Sequence, residues 1–350
     1  MKNIYKSITA VLLTAVMILP LASIAGNKDR SGQAGASELL INPWARSSGW
    51  GGVNIANSFG LESIYTNVAG LAFTPKTELI FSNTQWLKGS EIAINNFGFA
   101  QKIGESSVLG VSIMALSFGD LPITTTEIPE GGIGTFSPSY LNINIAYAKA
   151  FSNSIYGGFN FKIISESISD VGAQGVAVDA GIQYVTGERE NIHFGIALKN
   201  VGPTMKFSGD GLSIRSFLPG QESQFTLEQR SAEFELPSLL NIGGSYAFLI
   251  SDIHTLTLAA AFTSNAFSKD QYIIGAEYSL KDYLILRGGY TYEDGITTKE
   301  RTTALTGPSG GVSVQVPINK EKKSVFSVDY SYRATNPFKG SHTMAVRLSF

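Results

Sequence analysis

Cysteine is absent from this 350-residue chain. That excludes disulfides, thiolate metal sites, cysteine nucleophiles and a lipid anchor on an N-terminal cysteine. Three histidines, His193, His254 and His342, are all that remains for imidazole chemistry. Charge is scarce as well: 15% of residues are ionic, against about 25% in an average soluble protein. The net charge of −2 supplies no basic surface for nucleic acid. Beyond residue 25, no apolar run approaches the roughly 18 residues of a membrane-spanning helix. Yet 43% of the chain is hydrophobic. The apolar residues are therefore spread thinly and evenly.

The N-terminus reads as an export address. Lys2 and Lys6 precede an apolar core over residues 8–21, and Ser23 and Ala25 are the small residues a signal peptidase needs. Cleavage is expected after Ala25, giving a signal peptide over 1–25. The mature N-terminus is expected to lie free in the periplasm.

From residue 77 onward the chain breaks into segments of about ten residues with period-two hydrophobicity, the pattern of transmembrane strands. In the last, His342, Met344, Val346, Leu348 and Phe350 share one face, and Ser341, Thr343, Ala345, Arg347 and Ser349 the other. The first set suits lipid and the second a lumen. Fourteen segments emerge: 77–86, 91–102, 106–118, 139–151, 154–166, 174–186, 191–200, 237–249, 253–264, 269–280, 283–293, 308–318, 323–333 and 340–350. The even-numbered connections are short, and the odd ones include 119–138, 167–173, 201–236 and 294–307. Barrels have short periplasmic turns and longer outer loops, so this alternation supports the count. Two strands depart from the simple pattern. Ile92 and Ile94 fall out of phase with Phe97 and Phe99, which predicts a β-bulge near Asn95–Asn96. The strand over 106–118 is apolar on both faces, which predicts that its inner face packs on something inside the barrel. Trp86, Tyr147, Tyr184, Tyr246, Tyr283 and Tyr292 are candidates for the interfacial aromatic girdles.

The expected fold is all-β: a 14-stranded antiparallel transmembrane β-barrel over 77–350, in the outer membrane of a Gram-negative bacterium, with its long loops outside. Fourteen strands enclose a lumen too wide for wall side chains to fill; about eight strands fill themselves. Residues 26–76 are expected to fold inside as a plug. Lumen-facing Lys162, Asp179, Lys199, Glu277, Arg287, Asp329, Arg333 and Arg347 are of mixed sign and must pair there.

Three stretches carry a family resemblance. Asn67-Val68-Ala69-Gly70-Leu71 resembles the Asn-Pro-Ala-Gly-Leu region of the FadL superfamily of fourteen-stranded barrels, without its proline. The run 36–46, which contains Trp44 and Arg46 and is followed by Gly51-Gly52, looks like the start of the PorV/PorQ family of Bacteroidetes-type bacteria. Asn200-Val201-Gly202-Pro203-Thr204-Met205-Lys206-Phe207 resembles that family's Asn-Val-Gly-Pro-x-Met-x-Phe element. The resemblance implies a role in the type IX secretion system. Its members bind a large translocon barrel and secreted proteins with C-terminal signal domains.

Met205, Phe207, Phe217, Leu218, Phe225, Leu227 and Phe234, in the connection 201–236, are the candidate partner-binding residues. The plug motif is Trp44, Arg46, Asn67, Ala69, Gly70 and Leu71. A FadL-type channel for small hydrophobic compounds is the alternative. Besides partner proteins, outer-membrane lipid is expected to contact the chain, and nucleic acid is not. No catalytic residue, cofactor or metal site is expected: His193 and Asp179 face the lumen at different depths, with no nucleophile marked beside them.

Overall fold

The computed structural model describes residues 28–220, 223–298, 303–319 and 324–350. The segment 1–25, expected to be a signal peptide, lies outside the described residues. Fourteen strands form the wall: β1 Thr77–Gln85, β2 Ala93–Ile103, β3 Ser107–Ser117, β4 Ser139–Ala150, β5 Ile155–Ile168, β6 Val171–Thr186 and β7 Ile192–Val201 make the first half. The second half is β8 Leu239–Ser251, β9 His254–Asn265, β10 Gln271–Leu280, β11 Leu284–Glu293, β12 Gly307–Asn319, β13 Ser324–Arg333 and β14 Ser341–Ser349. Each pairs antiparallel with its sequence neighbours, and β1 pairs with β14, so the sheet closes on itself. Closure leaves no unpaired edge in the membrane, which a strand-built span requires.

Alternation sets the two faces. On β6, Val176, Val178, Ala180, Ile182 and Tyr184 point outward, while Ala177, Asp179, Gly181 and Gln183 are buried. The outward rows of other strands carry Phe97, Ile145, Phe194, Ile274 and Met344, all exposed. Such a belt of bare apolar side chains is stable in lipid and not in water.

Three expectations are corrected. No bulge occurs in β2, which pairs without interruption from Gln85↔Ala93 to Thr77↔Gln101. Ile94 is apolar because it faces the filled interior, and Phe97 and Phe99 because they face lipid. Trp86 continues the inward row of β1 and packs on the interior core, so it is no girdle residue. The connection 167–173 is mostly strand: β5 and β6 run on past their neighbours to a two-residue turn at Ser169-Asp170, where continued ladder bonds satisfy the backbone.

The expected mature N-terminus, after residue 25, lies outside the described residues. β1 begins at the rim of the short turns, but residues 28–36 sit at the opposite rim, among the long connections. Arg30 ion-pairs with Glu235 and lies 4.2 Å over the Phe267 ring, and the Gly35 amide donates to the Glu235 carbonyl at 3.0 Å. Farther along, Phe73 packs tilted against Tyr156 with ring centroids 4.2 Å apart, beside a short turn. The segment before β1 therefore runs through the lumen from one rim to the other.

The chain's lack of cysteine makes this path easy to test. With membrane-impermeant maleimide on intact cells, Asp29→Cys is expected to behave like Glu127→Cys in the β3–β4 connection. It should differ from Asn153→Cys in the β4–β5 turn. Labelling of Asp29→Cys together with Asn153→Cys instead would refute the threaded path.

Candidate functional site

The inner segment is built from short helical turns: Ala45–Gly49 is α-helical, and Gly60–Tyr65 and Val68–Phe73 are 3-10. Asn67 caps the last of these, accepting from the Ala69 amide at 3.2 Å. Its Nδ2 donates to the Ile55 carbonyl at 2.9 Å and, across to the wall, to the Ile182 carbonyl at 3.0 Å. One side chain thus ends a loop, starts a helix and fixes both to β6. Gly70 passes so close to the Ser58 carbonyl that no Cβ fits between them. Ala69 and Leu71 are completely buried.

Contact runs around the whole wall. Ser82 of β1 donates to the Pro43 carbonyl at 2.9 Å, and Asn144 of β4 to the Tyr65 hydroxyl at 3.0 Å. Ala259 and Ala261 of β9 join Trp50, Val53 and Ile55 in one apolar cluster. Most other strands meet the segment through an inward glycine: Gly98, Gly110, Gly158, Gly181, Gly195, Gly243, Gly275, Gly289 and Gly311. A Cβ on Gly275 would lie 2.6 Å from the Trp50 ring, and one on Gly98 2.6 Å from Leu61 Cδ2. Glycine in a strand interior weakens the strand, and here it marks close approach of a second chain segment. The apolar inner face of β3 is covered in the same way: Val108, Met114 and Leu116 pack with Trp44, Leu61, Ile64 and Leu71.

Charge holds the segment at one side. Arg347 of β14 ion-pairs with Glu62 of the inner segment, with Glu78 of β1 at 3.3 Å and with Asp329 of β13 at 3.4 Å. Arg46 reaches Asp329 from within at 3.3 Å. Lys162 pairs with Asp179 at 2.7 Å inside the wall, and Arg287 pairs with Glu277 at 2.5 Å. Glu62 and Glu78 were not singled out by sequence reasoning. Glu78 opens an alternating strand and Glu62 sits in an irregular run, so neither stood out as a partner of Arg347.

The connection 202–238 divides in two. Its first part, Met205–Ser208, pairs with the protruding start of β6 and with Glu233–Phe234. Met205 is buried in the interior core, and Phe207 packs tilted against Phe234 with ring centroids 5.6 Å apart. These three candidates therefore pack the rim. The second part is a separate two-stranded hairpin, Ser213–Phe217 with Gln224–Glu228. Phe217 and Leu218 are exposed there, with Ile214 beside them, and Phe225 and Leu227 are half-buried. His193 bonds the Glu190 carbonyl at 2.9 Å near a short turn, while Asp179 bonds the Asn200 amide farther up, so the two are not brought together.

Together these features define an outer-membrane barrel of the FadL-like fold. Solved structures agree. The chain matches the CymD monoaromatic hydrocarbon channel with a TM-score of 0.54 and 14% identity, covering 89% of this chain and 98% of that one. For the toluene transporter TbuX of Ralstonia pickettii the values are 0.53, 15%, 89% and 98%. For TodX of Pseudomonas putida they are 0.55, 13%, 88% and 98%. At such identities the likeness is one of fold. No curated protein matches the chain. The family model for the type IX secretion system membrane protein PorP/SprF matches residues 77–350, and the chain belongs to that family.

Arg347→Met leaves the buried carboxylates of Glu62 and Glu78 without their cation, and Asp329 with Arg46 alone. It is expected to lower unfolding stability in detergent by about 3–5 kcal/mol, read from the urea midpoint of tryptophan fluorescence. Arg30→Met breaks a largely solvent-exposed pair and the cation–π contact with Phe267, and is expected to change stability by less than about 2 kcal/mol. Equal midpoints for the two variants would remove the Arg347 cluster as the anchor of the inner segment.

Proposed function

We propose that this barrel is a non-enzymatic, protein-binding component of type IX secretion that holds its partners at the long-loop mouth, with that mouth facing outside the cell. The partners that fit are those implied by the PorV/PorQ resemblance: a large translocon barrel, and secreted proteins carrying C-terminal signal domains. The observation that carries the reading is the hairpin Ser213–Phe217/Gln224–Glu228. A lone two-stranded hairpin is marginal in water. This one exposes Ile214 and Phe217 at 43% and 56%, and among the described residues it has no third strand. An extended partner segment adding to one edge would supply both the missing backbone bonds and a cover for the apolar side chains.

A channel for small hydrophobic compounds, the role named for the neighbouring structures, is the second reading. It would need a path past an inner segment that touches wall strands all the way round, and that ranks it lower. Replacing residues 213–228 by a short Gly-Ser linker distinguishes the two. The variant is expected to fold, giving the heat-modifiable band of a closed barrel, and to lose co-purification of translocon and cargo about tenfold or more. Undiminished recovery of partners, or recovery of the barrel alone with a stoichiometric hydrophobic compound from the unaltered chain, would overturn the protein-binding reading.

A further inference from the structure

Inside the long-loop half of the barrel is a cavity of about 160 Å³. It lies between the inner segment, near Asn42, Gly52 and Tyr65, and the rim-side ends of β7–β10 and β13. Two of its lining side chains are cationic, Lys199 and Arg333, and none is acidic. This sets them apart from the other inward cations. Lys162, Arg287 and Arg347 each pair with a carboxylate. Lys199 Nζ instead donates to the Tyr65 carbonyl at 2.6 Å, and Arg333 Nη2 to the Leu305 carbonyl at 2.9 Å. Neither forms an ion pair among the described residues.

Both side chains are half-buried; a carbonyl dipole satisfies one N–H of each but does not neutralise its charge, which still favours an anionic partner. Two cations facing one space also repel each other. The neutral groups around them are suited to an anion. The Asn241 carboxamide oxygen accepts from the Thr263 hydroxyl at 2.7 Å, which leaves its NH2 group as a donor. Gln271 adds a second carboxamide at the rim. The cavity has room for a tetrahedral or planar oxyanion and some of its hydration.

We propose that this cavity is a binding site for one small oxyanion, held between Lys199 and Arg333. The charge has two possible sources, a free inorganic anion or a carboxylate on a partner peptide, and both present the same chemistry to the site. The inference stands apart from the hairpin reading, since it concerns the lumen and not the exposed loop.

The test is calorimetric titration of the purified full barrel in detergent with inorganic phosphate, and separately with acetate, at constant ionic strength set by chloride. Saturable binding is expected. Lys199→Gln and Arg333→Gln keep a donor for the carbonyl while removing the charge, and each is expected to weaken binding at least tenfold. Lys206→Gln, on the outer face of the rim, should leave it unchanged. Preference for phosphate points to the inorganic source, and acetate binding as well or better points to the peptide carboxylate. Should either variant misfold, Asn241→Cys in an otherwise unaltered chain gives a second reading: phosphate or acetate should slow its reaction with a neutral thiol reagent. No saturable binding of either anion, equal binding by the charge-removing variants, or a cysteine rate indifferent to both anions would overturn the proposal.

Discussion

A closed ring of fourteen strands has more interior than its own side chains can occupy, and that geometric surplus governs the rest of the molecule. The interior cannot stay apolar and empty without forfeiting dispersion contacts. The chain fills it with its own N-terminal segment, and the wall yields space for it. The inward glycines, from Gly98 on β2 to Gly311 on β12, are where the wall gives up side chains so that another backbone can lie against it. Trp50, Ile55, Leu61 and Leu71 then return the missing volume from the centre. The core of this protein is therefore shared between a sheet that supplies small residues and a segment that supplies large ones.

Electrostatics follows the same division. Arg347, Asp329 and Glu78 on three adjacent wall strands form half of a cluster that Glu62 and Arg46 complete from within. Because β1 and β14 are the strands whose pairing closes the ring, this cluster ties together the seam of the barrel and the segment inside it.

The wall was legible in the sequence because lipid enforces a strict period of two. All fourteen strands lie within a few residues of where alternation and turn residues put them. Where a second constraint acted, the simple reading failed. Ile94 and Trp86 were apolar for the interior and not for lipid, so one strand looked bulged and one tryptophan looked interfacial. Likewise Met205, Phe207 and Phe234 stood out as bare loop hydrophobics, because a loop's local sequence carries no sign that it will fold back onto β6. Phe217 and Leu218, which do remain exposed, have the same composition around them. The mid-strand glycines on inward positions were the available signal for close packing, visible once the faces were assigned.

The threaded course of the first described residues also dictates an order of events. A ring cannot be slipped over a strand whose far end is already occupied by something bulky. With Arg30 at one mouth and Thr77 at the other, the leading segment has to be in place before β1 and β14 zip together, or be drawn through afterward as a bare thread. Insertion into the membrane, closing of the seam and filling of the interior are thus steps of one choreography. A folded domain appended ahead of residue 28 would act as a stopper knot.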